Sequence, residues 1–252
     1  MLVEWGRLTS PEAADAVKRM PACIVPLGAI EAHGPHMELE VDNNIATEKC
    51  RRVCAQTDVI LMPTIPFGIV YSLYGFPGSL TVRFDTMKQL LCDLVDSLYD
   101  RGFRIVIFHS HHGGNWSVTK QAARECTQRH RDMVVASMNE LSEVRKAQDR
   151  YCLSPHGDPS RAHADELETC QALECCPQNV HMERAIASYL DFPDDYSAVP
   201  HPWSDFSANP MNGDALAATK ENGARFLKAE VDAMVEKVRL ILKNHLKPEE
   251  TP

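Results

Sequence analysis

The 252-residue chain has nine cysteines but no Cys-x-x-Cys pair, so the spacing a zinc ribbon needs is missing. Scattered and odd in number, these cysteines read as reduced, mostly buried thiols of a cytoplasmic protein. Positive charge is also in short supply. The formal net charge is -9, which argues against general binding to nucleic acid or an anionic membrane surface. The first residues, MLVEWGRLTSPEAADAV, lack the basic start and apolar stretch of a secretion signal, and no apolar run approaches the length of a membrane span. Internal repeats and low-complexity tracts are absent, and no composition shift marks a boundary. The expectation is one domain spanning residues 1-252.

What is present alternates. ACIVPLG (22-28), DVILMP (58-63), FRIVIFHS (103-110) and MVVASM (133-138) read as buried strands. Residues 43-57, a stretch between a capping Asp85 and Gly102, a stretch from Asn115 or Ser117 to Arg129, and roughly 214-246 read as helices. Segment 64-84 reads as a loop with a strand near SLTVRF, and the polar segment 140-162, with Pro155, Gly157 and Pro159, as an excursion near a site. Continuously apolar strands alternating with helices predict an α/β fold with a mostly parallel sheet covered on both faces.

Ligands of such sheets bind beyond the carboxyl ends of the strands. Three polar clusters fall near such positions. Glu31, His33, His36 and Asp42 follow the first strand, a spacing suited to metal ligation. His109, His111 and His112 run into Gly113, Gly114 and Asn115. Strand alternation puts His109 and His111 on one side, and His112 beside the glycine turn is the best ligand candidate. His163, Asp165, Glu166 and Glu168 form the third cluster, which reads as the opening of a helix. If helical, His163 and Glu166 share a face and Glu168 points elsewhere. This surplus of acids and imidazoles best fits two divalent ions bridged by a carboxylate, with a nearby histidine shuttling a proton.

PLGAIEAHGPHMELEVD, HHGGN and HADELET, in that order, resemble the creatininase family of metal-dependent amidohydrolases, and NGDALAATKENG is similar to that family's tail. The resemblance spans nearly the whole chain. It implies a three-layer α/β/α sandwich and a homo-oligomer, with ring hexamers common. It also implies two ions of zinc, manganese or iron per subunit, and a small-molecule substrate. By it, Glu31 and His33 each hold one ion, Asp42 bridges them, His112 sits beside Glu31, and His163 is the acid/base. Creatinine-cleaving enzymes carry a glutamate where this chain has Gly114, so another carboxylate must complete the second ion. The family pattern points to Glu168, and helical geometry equally admits Glu166. Pro159 and Ser160 replace the Trp-Asp pair of those enzymes, and Val70-Tyr71-Ser72-Leu73 replaces a Ser-x-Glu-His string. Creatinine itself is therefore not the expected substrate. Tyr71, Ser72, Gly113 and Glu166 are the expected pocket residues. The activity implied is hydrolysis of a cyclic amide, formamide or similar C–N bond. The alternatives are ring-opening C–C hydrolysis of a cyclic ketone in sugar or cyclitol catabolism, and metal binding without catalysis.

Overall fold

The computed structural model describes residues 1–139, 141–156 and 160–246. Gly157, Pro159 and the residues beyond 246 lie outside them. In chain order the elements are α1 (Ser10–Arg19), β1 (Ala22–Leu27), α2 (Val41–Cys54), β2 (Ile60–Leu61), α3 (Phe84–Asp100), β3 (Ile105–Ser110) and α4 (Trp116–Arg129). They continue with β4 (Val134–Ser137), α5 (Leu141–Tyr151), α6 (Glu166–Cys175), β5 (Ala187–Ser188), β6 (Gly213–Asp214) and α7 (Lys220–His245).

β1 to β4 form one parallel sheet in the order β2-β1-β3-β4, and β5 and β6 form a small antiparallel pair. The strands alternate between two apolar layers. Cys23, Val25 and Leu27 of β1 and Val106 and Phe108 of β3 pack with α1, α3 and α4. Ala22 and Ile24 of β1 and Ile105 and Ile107 of β3 pack with α2 and α7. Every residue of β1 and β3 is buried, as expected of strands covered on both faces. This is the expected α/β architecture with helical layers on both faces of the sheet. No helix among the described residues is long and apolar enough to cross a membrane.

The chain leaves β1 toward β2 and later enters β3 on the other side of β1. The carboxyl ends of β1 and β3 are thus a topological switch point, where a crevice forms. Gly28, at the end of β1, lets the start of α2 come against it, since a Cβ there would lie 2.2 Å from Asn43 Oδ1 and 2.6 Å from Asn43 N. The neighbouring Asp42 is carried to the strand end by the same approach.

Several elements depart from the sequence reading. SLTVRF forms no strand, and Leu80 merely bridges to Ile30. Asp85 lies inside the first turn of α3, with Arg83 at the cap. Segment 140-162 contains helix α5, and Glu143, Gln148 and Ser160 of it line the cavity over the site, as expected of an excursion near it. The third polar cluster does open a helix, α6, but the helix begins at Glu166 and leaves His163 outside it. Asp165 caps α6, its Oδ1 accepting from the Glu168 N–H at 3.0 Å, while His163 lies in extended chain paired with Asn212. The shared-face argument for His163 and Glu166 therefore does not apply.

Candidate metal centre

Loops after β1 and β3, the first turn of α2 and the first turn of α6 deliver Glu31, His33, His112, Asp42 and Glu168 to one place, and the chain before α6 adds His163. All but Glu168 are buried to below a tenth of their surface. The tautomer of each imidazole is set by a backbone carbonyl. His33 donates from Nδ1 to Glu31 O at 3.0 Å, His112 from Nε2 to Ile69 O at 2.8 Å, and His163 from Nε2 to Ala32 O at 2.8 Å. This leaves one lone pair on each ring, and all three are turned toward carboxylates. His112 Nδ1 is 3.1 Å from Glu31 Oε2 and 3.3 Å from Asp42 Oδ2. His33 Nε2 is 3.5 Å from Asp42 Oδ1 and 3.9 Å from Glu168 Oε2. His163 Nδ1 is 3.8 Å from both Glu31 Oε2 and Glu168 Oε2.

Lone pairs facing carboxylates in a buried space repel unless positive charge lies between them. The site's acidities express that demand. Burial opposes charge on His33, but Asp42, Glu168 and Glu31 outweigh it and lift the imidazole to about 10. His112 also rises, burial being overcome by Glu31 and Asp42. Burial pushes the Asp42 carboxyl up, yet His33 and His112 hold it well below the carboxylate range, and His112 and His163 do the same, less strongly, to Glu31. Divalent cations would supply this charge without protons. Two ligand groupings share one residue: Glu31, Asp42 and His112, and His33, Asp42 and Glu168. A third joins Glu31, His33 and His163. Asp42 Oδ2 has no hydrogen-bond donor of its own, as expected of an oxygen reserved for an ion. The donor set of imidazoles and carboxylates fits zinc, manganese or iron.

A cavity of about 510 Å³ opens over these groups. Of the expected pocket residues, Tyr71, Ser72 and Gly113 line it and Glu166 does not. The Glu166 carboxylate instead accepts from the N–H groups of Leu153 and Ser154, at 2.9 and 2.7 Å, and from the Ser154 hydroxyl at 2.7 Å, which pins the chain after α5. Two residues further along α6, the Glu168 carboxylate reaches the centre. Gly114 has no room for a side chain. A Cβ at that position would lie 2.1 Å from Ile69 O, the carbonyl that orients His112. Among the substitutes for the missing Trp-Asp pair, Ser160 lines the cavity, while Pro159 lies outside the described residues.

Reading the sequence missed Asn115 as more than a helix start. Fully buried, its Oδ1 accepts from the Ile69 N–H at 3.0 Å and its Nδ2 donates to Gly28 O at 2.9 Å and Ser110 Oγ at 3.1 Å, joining three loops of the site. It also missed Lys49 and Glu230, a buried ion pair on the cavity wall. A signal existed, because Lys49 continues the apolar stripe Val41, Ile45, Val53 at helical spacing and Glu230 lies between Phe226 and Met234 on another.

The creatinine amidohydrolase (creatininase) family model matches residues 6–238. A mycofactocin precursor peptide peptidase of Mycobacterium tuberculosis is 28% identical, covering 92% of this chain and 90% of that protein. A 3-dehydro-scyllo-inosose hydrolase of Thermotoga maritima is 24% identical, covering 73% of this chain and 60% of that protein. The solved structure of a creatinine amidohydrolase superposes with a TM-score of 0.87 at 21% identity, over 98% of this chain and 99% of that one.

Proposed function

The chain belongs to the creatininase family, and we propose that it is a metal-dependent hydrolase that cleaves a C–N bond of a small cyclic amide, formamide or peptide-like substrate. The observation that carries this reading is the convergence of three backbone-fixed imidazole lone pairs on Glu31, Asp42 and Glu168 at the floor of an open cavity. In this reading Glu31, Asp42 and His112 hold one divalent ion, and His33, Asp42 and Glu168 hold a second. Bound there, the ions supply Lewis-acid polarisation of a carbonyl oxygen and lower the pKa of water at the site.

The chain's own groups do the rest. His163 is the acid/base. Its Nε2–H is committed to Ala32 O, so Nδ1 is the atom that takes a proton from water and returns it to the leaving nitrogen. Glu31 and Glu168, each 3.8 Å from Nδ1, stabilise the imidazolium formed in between. The edge-on Trp203 ring, with centroids 5.9 Å apart, limits the swing of the imidazole and keeps water from that side. Tyr71 and Ser72 stand at the cavity wall where they meet the substrate. Support for a C–N bond comes from the relatives, one named a peptidase and one an amidohydrolase.

A second reading, ring opening of a cyclic ketone, is favoured by the relative named an inosose hydrolase. There His163 would protonate the carbon leaving group. The test offers the zinc- or manganese-loaded protein cyclic amides, formamides, dipeptides and polyhydroxylated ring ketones. Release of amine or ammonia, lost in His163→Asn, is the expected result. A nitrogen-free acid formed from the ring ketones, with every C–N substrate inert, overturns the first reading in favour of the second.

A further inference from the structure

We propose that Lys49 is a positioning residue for the metal centre: acting through His111, it orients Glu168. The inference rests on the reading above that Glu168 holds an ion.

Lys49 on α2 and Glu230 on α7 form an ion pair with 2% and 7% of their surfaces exposed. Glu230 Oε1 also accepts from Gln171 Nε2 of α6 at 2.8 Å. A buried lysine–glutamate pair is weak grounds for stability, since apolar side chains of like volume often serve as well. This pair does something an apolar pair could not. Lys49 Nζ lies 3.2 Å from His111 Nδ1, and an ammonium group only donates. Nδ1 must therefore offer its lone pair, and the proton of the neutral ring sits on Nε2. That nitrogen has no hydrogen-bond partner of its own and stands 3.8 Å from Glu168 Oε1. With the tautomer fixed, His111 presents an N–H to the carboxylate. With the tautomer free, the ring could present a lone pair and repel it. Groups that orient a ligand in this way typically carry 10–100-fold of metal affinity.

The connection is closed on itself. Gln171 and Glu168 lie three residues apart on α6, so one helix is held at Gln171 through Glu230 and steered at Glu168 through His111, with Lys49 joining the two. Glu168 Oε2 meanwhile accepts from the Ala164 N–H at 2.6 Å, leaving Oε1 as the oxygen His111 sets.

The experiment titrates metal-free protein with zinc against a chelating dye, for the wild type, Lys49→Met and Lys49→Arg. Lys49→Met should weaken the ion that Glu168 helps hold by about 10–100-fold and leave the other unchanged, with Lys49→Arg recovering most of the loss. In zinc-loaded protein carrying ¹⁵N-histidine, NMR should show His111 protonated at Nε2 in the wild type and not fixed in that form in Lys49→Met. Wild-type affinities in Lys49→Met, or a wild-type His111 protonated at Nδ1, would overturn the proposal. Should Lys49→Met not fold, Glu230→Gln, which frees Lys49 from its anchor, must show the same selective weakening or the proposal falls. Glu168→Gln separates the two levels. Loss of one ion there, with Lys49→Met unaffected, removes only the positioning role, whereas retention of both removes the reading of Glu168 on which it rests.

Discussion

The two helical layers of this molecule cover the same sheet with different materials. α1, α3 and α4 bury Ala16, Val17, Met87, Leu91, Cys92, Val95, Val118, Thr119, Ala122, Ala123 and Cys126, without one charged side chain. Across the sheet, α2 and α7, with α6 packed against them, bury Asp42, Lys49, Glu166 and Glu230 along with Asn43, Gln171 and Asn222. Apolar burial is non-directional and stabilises wherever surfaces meet. Buried charge is costly and specifies geometry only when each group meets its partner. Both layers therefore supply apolar stability, but only the second also carries carboxylates of the candidate centre, Asp42 on α2 and Glu168 on α6.

This division can be broken by experiment. The largest effect should come from the catalytic side. His163→Asn should lower turnover of any substrate the wild type hydrolyses by about 10²–10⁴-fold while metal content stays the same. Metal lost along with activity would make His163 a ligand rather than an acid/base. On the apolar layer, Phe103→Ala, at a fully buried position, should cost about 3–5 kcal/mol of stability in urea unfolding, with the ions still bound by the folded protein. Loss of metal by folded Phe103→Ala would show that the layers are not separable.

A subtler difference concerns protons. In the metal-free protein His33 is lifted to about 10, so near neutrality it is protonated and a cation must displace that proton. Metal affinity should thus fall as pH falls and rise with pH toward about 10. Calorimetry in buffers of different ionisation heats should record proton release on binding. Binding without release would contradict the charge balance drawn here.

The smallest effect is expected where charge is not buried. Lys228 and Asp232 pair on the exposed side of α7, and Lys228→Ala should change stability by no more than about 0.5 kcal/mol, without touching metal affinity. Lys49, paired to the buried face of that helix, should behave quite differently.

Much of this was legible in the chain. The β1 and β3 runs show as unbroken apolar segments because both layers cover them, and the two clusters that follow them lie at the switch point where such sheets bind ligands. The third cluster opens a helix as read, but Asp165 caps α6 two residues after His163, which stays in extended chain bridged to Asn212, 49 positions away. No local pattern carries that contact. Glu166 and Glu168 could not be told apart from spacing either. Their difference lies in which one the 153–154 backbone claims. Lys49 and Glu230 were readable as charges on apolar stripes, but their meeting across α2 and α7 was not.

In the proposed site, imidazole lone pairs and carboxylates at the switch point would hold two cations bridged by Asp42. Elemental analysis of the wild type and Asp42→Ala tests it most directly. About two divalent ions per chain are expected, both largely lost in the variant. One ion or none in the wild type, or a metal content unchanged by Asp42→Ala, would contradict it.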